Sequence, residues 1–440
     1  MTTVRYLVYF FLGWSSIADY FIKSGGPLSG ILSKVDEAIV LLLLLNLIAF
    51  WPQPNRNIVC RTPVGKPIGI LLLLCALSFS VNGGSIVNAV QFIFSIVKPI
   101  IVFYWIITFI HDDRMERFAI GFLTLLIALQ IPFFIYGFAT LGTRYVGDYA
   151  TGATVTGDAY QVAVYMSLGV VLFITYFALQ RRARYFVGAS VCFVLLAATS
   201  TKQIILTLPL IVLIVLRRQL GFPIRKLVLS LAIGSIVFFG IYDTFERMWS
   251  DAGGGGRIDF DESNLVEMIA TSEKLQGYYS VIFEAPSDMP VPLLGAGPGQ
   301  FASYTAMMSR TPLATKYIMD YFDEIPEDGG GTLAYRSSGV IALLGDLGIL
   351  GLVIVIYVYL TIMFMALRIG SASTDRNQRS VSSLVAACSV LILAESLLLN
   401  IFEGNGFLLN FFWILAGSMV VRWAPQQSRP NNITVNTLHE

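Results

Sequence analysis

Glu246-Arg247-Met248-Trp249-Ser250-Asp251 opens a polar stretch that continues through Gly253–Gly256 and closes with Glu324, Glu327, Asp328, Gly329–Gly331 and Arg336. It is the one long part of the chain that hydrocarbon would reject. On either side, apolar runs follow one another with only short turns between them. The 440 residues are 56% hydrophobic and 13% charged, against about 25% charged in an ordinary soluble domain. The mean hydropathy is +0.72. Runs of ~20 apolar residues are what a helix needs to cross ~30 Å of hydrocarbon, and they recur along nearly the whole length. The fold class is therefore all-α: a polytopic membrane protein with a single large, partly helical external loop.

Spans are expected near 6–22, 36–51, 67–82, 88–110, 117–138, 159–179, 185–201, 203–217, 226–245, 337–367, 381–401 and 406–422, about twelve in all. The basic residues orient them. Arg56, Arg61 and Lys66 fill one loop, Arg114 and Arg117 the next alternate one, then Arg181, Arg182 and Arg184. Arg217, Arg218, Arg225 and Lys226 follow, then Arg368, Arg376 and Arg379, with Arg422 and Arg429 in the tail. All of these fall on one side if the spans alternate as drawn, which places both termini in the cytoplasm. Residues 1–245 then hold nine spans, 246–336 form the external loop, 337–422 hold three more spans, and 423–440 are a cytoplasmic tail. The N-terminal run shows no Ala-x-Ala-like cleavage site and reads as a retained first span. Cys60, Cys75, Cys192 and Cys388 avoid the large loop and read as small apolar fillers, not a disulfide framework.

Inside the loop, Asn264-Leu-Val-Glu267 has the pattern of a helix cap. Leu265, Met268, Ile269, Leu275, Tyr279 and Ile282 then recur at helical spacing, as in a helix on the membrane face or packed on the spans. Gly295-Ala-Gly-Pro-Gly-Gln-Phe301 is a tight turn, followed by a short helical stretch, Ser303 to Ser309.

Four further stretches share the loop's side: Arg144 to Gln161, Thr199-Ser-Thr-Lys202-Gln203, Arg336-Ser337-Ser338 and Glu403-Gly-Asn405. Cations at Arg144, Lys202, Arg257, Lys274 and Arg336 have the chemistry to hold a diphosphate through charge-assisted bonds. The plainer reading makes them solvated residues that anchor helix ends. Lys202 stands apart, because a cation in so short a translocated turn runs against the positive-inside bias. Within the spans, Lys98, Asp346 and Glu395 each need a partner or water. Lys98 is expected in a buried ion pair, and Asp346 as a cap or pair within the bundle.

Several chemistries are missing from the sequence. The two histidines, His111 and His439, fall on the cytoplasmic side, and there is no Cys-x-x-Cys or P-loop pattern. Gly253–Gly256 has neither the strand nor the Lys-Ser/Thr that a phosphate loop requires. No metal and no cofactor is expected, and a net charge of +1 gives no reason to expect nucleic acid as a partner.

Three pieces resemble the O-antigen polymerase and O-antigen ligase superfamily of bacterial envelope polysaccharide enzymes. Pro292-Leu-Leu-Gly295-Ala-Gly297-Pro298-Gly299-Gln-Phe301 is similar to that family's outer-loop Pro-Leu-x-Gly-x-Gly-Pro-Gly-x-Phe. The stretch from Ser337 through Asp346-Leu-Gly348-Ile-Leu-Gly351 resembles its re-entry helix, which ends in acidic-x-Gly-Leu-Leu-Gly. Thr199-Ser200-Thr-Lys202-Gln stands where the family often has Ser-Arg-Gly. Arg144 to Gln161 also resembles its Arg-x-x-Gly…Gly-Asp-Pro-Asn pattern.

The resemblance implies a GT-C-like, metal-independent membrane glycosyltransferase in a bacterial plasma (inner) membrane. Its donor and acceptor would be glycans linked to undecaprenyl diphosphate, with the lipid bilayer and a chain-length regulator as further partners. The catalytic candidates are Lys202, Arg257 and Lys274 on the leaving diphosphate, with Glu403 and Asp158 as candidate carboxylate bases. Arg144 and Arg336 join Lys202 and Arg257 in binding it. Ser337 occupies the place of a histidine that ligases usually carry, which tilts the reading toward a polymerase. An O-antigen-type ligase is the nearest alternative, and a polysaccharide or lipid transporter or flippase the alternative of another class. The loop is expected to act as a lid that brings its cations to within about 15 Å of Lys202 and Arg144, roughly twice the ~8 Å physiological Debye length.

Overall fold

A computed structural model describes residues 2–23, 34–49, 62–110, 113–142, 152, 159–199, 201–220, 273–289, 291–319, 337–397, 399–402 and 407–427. Its regular elements are helical. In chain order they are α1 (Thr2–Lys23), α2 (Val35–Ala49), α3 (Gly65–Asn82), α4 (Ile86–Phe109), α5 (Arg114–Leu141), α6 (Ala159–Gln180), α7 (Ala183–Ala198) and α8 (Lys202–Leu220). After the long polar stretch begin α9 (Glu273–Tyr279), α10 (Tyr304–Met308) and α11 (Pro312–Ala314). The last three are α12 (Gly339–Ala372), α13 (Arg376–Glu395) and α14 (Phe407–Gln427).

Helices fill the stretches expected as spans, except 226–245, which lies outside the described residues. Six of them, α3, α4, α5, α6, α12 and α13, are long and apolar enough to cross a membrane. Ala183–Ala198 and Phe407–Val421 are apolar but shorter. The Asn264 cap expected at the start of the loop helix also lies outside the described residues.

One boundary moves. The span expected at 381–401 is a helix over Arg376–Glu395. Asp375 caps it by accepting from the Asn377 amide at 2.9 Å, and Arg379 Nε donates to the Ser373 carbonyl at 2.6 Å. Its first two turns carry serines and Gln378 that hydropathy would leave out, yet Gln378, Ser380, Ser382 and Ser383 are buried. The reason is position. α13 sits at the centre of the bundle and packs on α6, α8, α12 and α14, so its surroundings are protein, not lipid. Small side chains at such a contact let neighbouring backbones approach closely, which drives helix association where lipid removes the hydrophobic difference.

α14 forms the other half of the centre, packed on α1, α4, α5, α12 and α13. Trp413 stacks edge-on to Phe103 of α4, and Phe407 stacks edge-on to Tyr165 of α6. The expected ion pair is present: Lys98, beside Pro99 in the middle of α4, meets Asp36 at the start of α2 at 2.5 Å, both buried. Cys75, Cys192 and Cys388 are free and buried. Cys60 lies outside the described residues.

A second, smaller apolar core lies at the end of the bundle where α12 begins. Val281, Ala285, Met289, Phe301, Met307, Ala314 and Ile318 pack there around Ile341 of α12. The residues between α9 and α11 are thus built onto the bundle.

Candidate functional site

α12 has 34 residues, about 51 Å at 1.5 Å per residue, far more than one crossing of ~30 Å of hydrocarbon needs. It is broken at Gly348, which adopts φ 66° and ψ −171°, a conformation that a side chain would strain. The helix after the break, about 36 Å long, suffices as the span. The part before it, Gly339 to Leu347, joins two cores: Ile341 and Leu344 face the small one, and Leu343 and Leu347 the main one.

The break leaves helix carbonyls to accept from another segment. The Ala296 amide donates to the Gly345 carbonyl at 2.7 Å, and the Gly297 amide to the Asp346 carbonyl at 3.1 Å. The two chains approach so closely that a Cβ on Gly348 would lie 2.2 Å from the Leu293 oxygen, and one on Gly295 2.5 Å from the Gly348 nitrogen. The phenyl ring of Phe301 covers Gly345 in the same way. A run of glycines in one segment thus meets a run of glycines in the other.

Asp346 holds this junction. Its side chain is fully buried. Oδ1 accepts from the amides of Gln300 at 2.8 Å and Phe301 at 2.6 Å, and Oδ2 accepts from Ser303 at 3.1 Å. A carboxylate is acceptor-only, so three converging N–H groups suit it. The carboxylate expected to cap or pair within the bundle therefore caps a turn rather than a helix end.

Neighbouring contacts extend the platform. Ser337 donates to the Ala302 carbonyl at 2.6 Å, while Ser338 caps α12 by accepting from the Ile341 amide at 3.2 Å. Tyr278 lies 3.2 Å from the Ser338 hydroxyl and donates to the Leu397 carbonyl at 2.6 Å, joining the α9 segment to the start of α12 and the end of α13. Burial pushes the Tyr278 phenol up from its ordinary value, and the bond to Ser338 opposes the shift. Gly339 and Val340 donate to the carbonyls of Leu399 and Ser396, both at 2.9 Å. Ser78 of α3 donates to the Leu294 carbonyl at 2.7 Å, and Ser309 to Asn88 Oδ1 of α4 at 3.0 Å. The α3–α4 turn, the Gly-Pro-Gly segment, the start of α12 and the end of α13 are therefore together at one end of the bundle.

On the exposed side of the small core, Asp288 meets Lys316 at 2.6 Å and Tyr317 at 2.8 Å. The bond to Lys316 holds the Asp288 carboxyl below the usual range, and its mirror pushes Lys316 up to about 12. Beneath the platform, a small apolar cavity of about 20 Å³ lies between α3, α4, α12 and α14, lined by Leu343, Val355, Tyr359, Phe402 and Trp413 among others.

Among the residues expected to carry chemistry, Lys202 is the first residue of α8, which packs on α6, α12 and α13. Lys274 lies in the first turn of α9. The side chains of both lie outside the description, as do Arg144, Asp158, Arg257, Arg336 and Glu403 entirely. Glu395 is buried at the end of α13, two residues from the carbonyl that holds Tyr278. No cluster of three or more His, Cys, Asp or Glu side chains suited to a metal ion occurs among the described residues. Tyr278 was not singled out by sequence. The only signal for it is the helical spacing that puts it on one face with Val281 and Ala285.

These elements define a helical polytopic membrane protein, with a compact polar-loop unit built onto one end of its bundle. No protein-family model matches the chain, and no curated protein matches it in sequence.

Proposed function

We propose that this protein is a polysaccharide polymerase of the bacterial plasma membrane, joining undecaprenyl-diphosphate-linked oligosaccharide repeats at the outer face. The observation that carries the reading is the junction at Gly348. Two of the motifs that resemble the O-antigen polymerase and ligase superfamily, Gly295 to Phe301 and Ser337 to Gly351, are far apart in sequence. Hydrogen bonds from Ala296, Gly297, Gln300 and Phe301 lock the first onto the second. Motifs that serve one site have reason to be fixed to one another.

The reaction needs no cofactor. An acceptor hydroxyl oxygen attacks the anomeric carbon of the donor glycan, the bond from that carbon to the diphosphate oxygen breaks, and undecaprenyl diphosphate leaves with the electron pair. The hydroxyl proton goes to a carboxylate, for which Glu403 and Asp158 are the candidates. Charge gathers on the leaving diphosphate, and fixed cations shielded from water are the means of stabilising it. Lys202, at a helix N-terminus whose dipole also favours an anion, takes that role with Arg257 and Lys274, and Arg144 and Arg336 assist.

The test is Lys202→Ala, scored by the ladder of lipid-linked glycan in the host strain at matched protein level. Losing one preorganised charge donor costs ~10²–10³ in rate, so the ladder should collapse to single repeats on the carrier. Long carrier-bound glycan that is never transferred would instead identify a ligase. An unchanged ladder would remove Lys202 from the site.

Two observations favour a second reading, a lipid or glycan transporter. A helix broken at Gly348 and an ion pair buried within the bundle are features of transport pathways. Purified protein in proteoliposomes separates the two. A polymerase lengthens the glycan with carrier released, whereas a transporter moves the carrier across and forms no new glycosidic bond.

A further inference from the structure

The segment Glu273 to Glu284 is apolar on two opposite faces. Toward the protein, Val281 and Ala285 are buried in the small core and Tyr278 reaches Ser338 and Leu397. Away from it, Leu275, Tyr279, Ile282 and Phe283 point outward, with Tyr279 56% and Phe283 69% exposed. At 100° per residue these four fall within an arc of about 100°, and the rings of Tyr279 and Phe283 lie against each other at 5.3 Å. The last turn widens to a π-helix over Ser280–Glu284, which keeps Ile282 and Phe283 side by side on the outer face. In water, a ridge of two aromatics and two large aliphatics on so short a segment would be a liability.

The unit that carries the ridge is packed on a helix whose later part is a candidate span with an exposed apolar face. The π turn touches α12, and Leu293, exposed on the next turn, lies against the backbone of Gly348. Directly beyond Gly348 the spanning part of α12 shows Ile349, Leu350, Val353 and Tyr357 outward. Of the charged groups in the same unit, Glu284 follows the ridge directly, exposed and accepting from the Ser280 hydroxyl at 2.7 Å, while Asp288 and Lys316 come later and pair with each other.

We infer that Leu275, Tyr279, Ile282 and Phe283 are a membrane seat: the α9 segment lies in the plane of the bilayer surface, its outer ridge among lipid headgroups and upper acyl carbons. The occupant of this face is lipid. Helices of this kind rest about 5–10 Å into the boundary between headgroups and chains, and a tyrosine there keeps its hydroxyl at the wet level. Through Tyr278 the seat is tied to the first residues of α12 and to the end of α13, so the bilayer surface sets the height of the platform. This inference requires only a membrane-spanning bundle and does not depend on the polymerase reading.

The test is site-directed spin labelling of the full chain in nanodiscs of phosphatidylethanolamine and phosphatidylglycerol. The background carries Cys60→Ser, with Cys75, Cys192 and Cys388 already buried. Labels at Tyr279→Cys, Ile282→Cys and Phe283→Cys are compared with Val353→Cys as the lipid reference and Ser287→Cys as the water reference. The expected result is collision with oxygen exceeding collision with a water-soluble nickel chelate, as at Val353, with a depth of about 5–10 Å. Nickel access equal to that at Ser287 would overturn the seat. Low access to both reagents would also overturn it, since the face would then be covered by protein. Unchanged thermal unfolding of each labelled variant shows that the readings come from the folded chain.

Discussion

Replacing Asp346 with asparagine should release the Gly-Pro-Gly segment from α12 while leaving the spans folded. The carboxylate accepts three amide N–H groups, two on Oδ1 and one on Oδ2. Asparagine keeps one acceptor oxygen, which can stay on Gln300 and Phe301, but it turns an NH₂ toward the Ser303 N–H. One charge-assisted bond, worth about 1.5–3 kcal/mol, is replaced by two donors facing each other. The two that remain fall to roughly half their strength once the charge is gone, about 1 kcal/mol each. The local cost is therefore about 3–5 kcal/mol, and 3 kcal/mol corresponds to roughly a hundredfold in the opening equilibrium of the segment. The assay is limited proteolysis of purified protein in nanodiscs, following cleavage between residues 296 and 311, with hydrogen exchange of the Gln300, Phe301 and Ser303 amides as the local measure. Both rates should rise by about that factor, because opening of the segment precedes cleavage and exchange alike. Wild-type rates at all three amides would refute the view that this carboxylate holds the segment.

Two further outcomes follow from the charged pairs. Lys98→Met should destabilise the bundle by about 3–5 kcal/mol, since it leaves Asp36 buried without its cation, and adding Asp36→Leu should restore much of the loss. Thermal unfolding in one detergent checks both, and a single variant as stable as the parent would refute the pairing. The Asp288–Lys316 pair predicts a pH dependence confined to the small core. Asp288 is depressed in the fold, so its contribution is present above its unfolded value near 3.8 and is lost as pH falls through the lower, folded value. Lys316 is raised, so its contribution is complete below 10.5 and is lost as pH rises through about 12. The protection from hydrogen exchange over 285–288, taken relative to the intrinsic rate at each pH, should accordingly be flat between about pH 5 and 9, a window inside those limits, and fall at acid pH. Lys316→Met should abolish the acid loss of protection.

The spans were legible because crossing a bilayer fixes both length and composition. Helices stand where apolar runs stand, whether the run is exposed to lipid, as along α5, or wrapped in protein, as α6 is. Hydropathy misplaced α13 because it assumes lipid around every span, and this helix is surrounded by others. The need of Lys98 for a partner could be read from the cost of an ion in hydrocarbon. Its identity could not, because Asp36 lies 62 residues away and nothing local points to it. The turn at Gly295 to Phe301 was evident from its glycines and proline. That it docks on the first turns of α12 was not, since the docking depends on backbone carbonyls which become available only when Gly348 breaks the helix. The cations expected around a diphosphate belong to segments outside the described residues, apart from the backbones of Lys202 and Lys274, so their gathering rests on sequence alone.

The glycines on the two sides of the junction make sense only together. Gly295 needs its positive φ of 71° to turn the chain into the gap beside Asp346, and the gap exists because Gly348 ends the first part of α12. A side chain at either position would strike the other segment's backbone, which cannot rotate away as a side chain can. The unit from α9 to α11 is therefore attached at the backbone level, through amides and carbonyls with no freedom to slide. A loop needed only to link two spans gains nothing from such attachment. A segment that must present groups at a fixed height above the bundle does gain. Such rigidity would suit the transfer proposed above, because an error of 1 Å in the placement of a reacting group can cost about a hundredfold in rate.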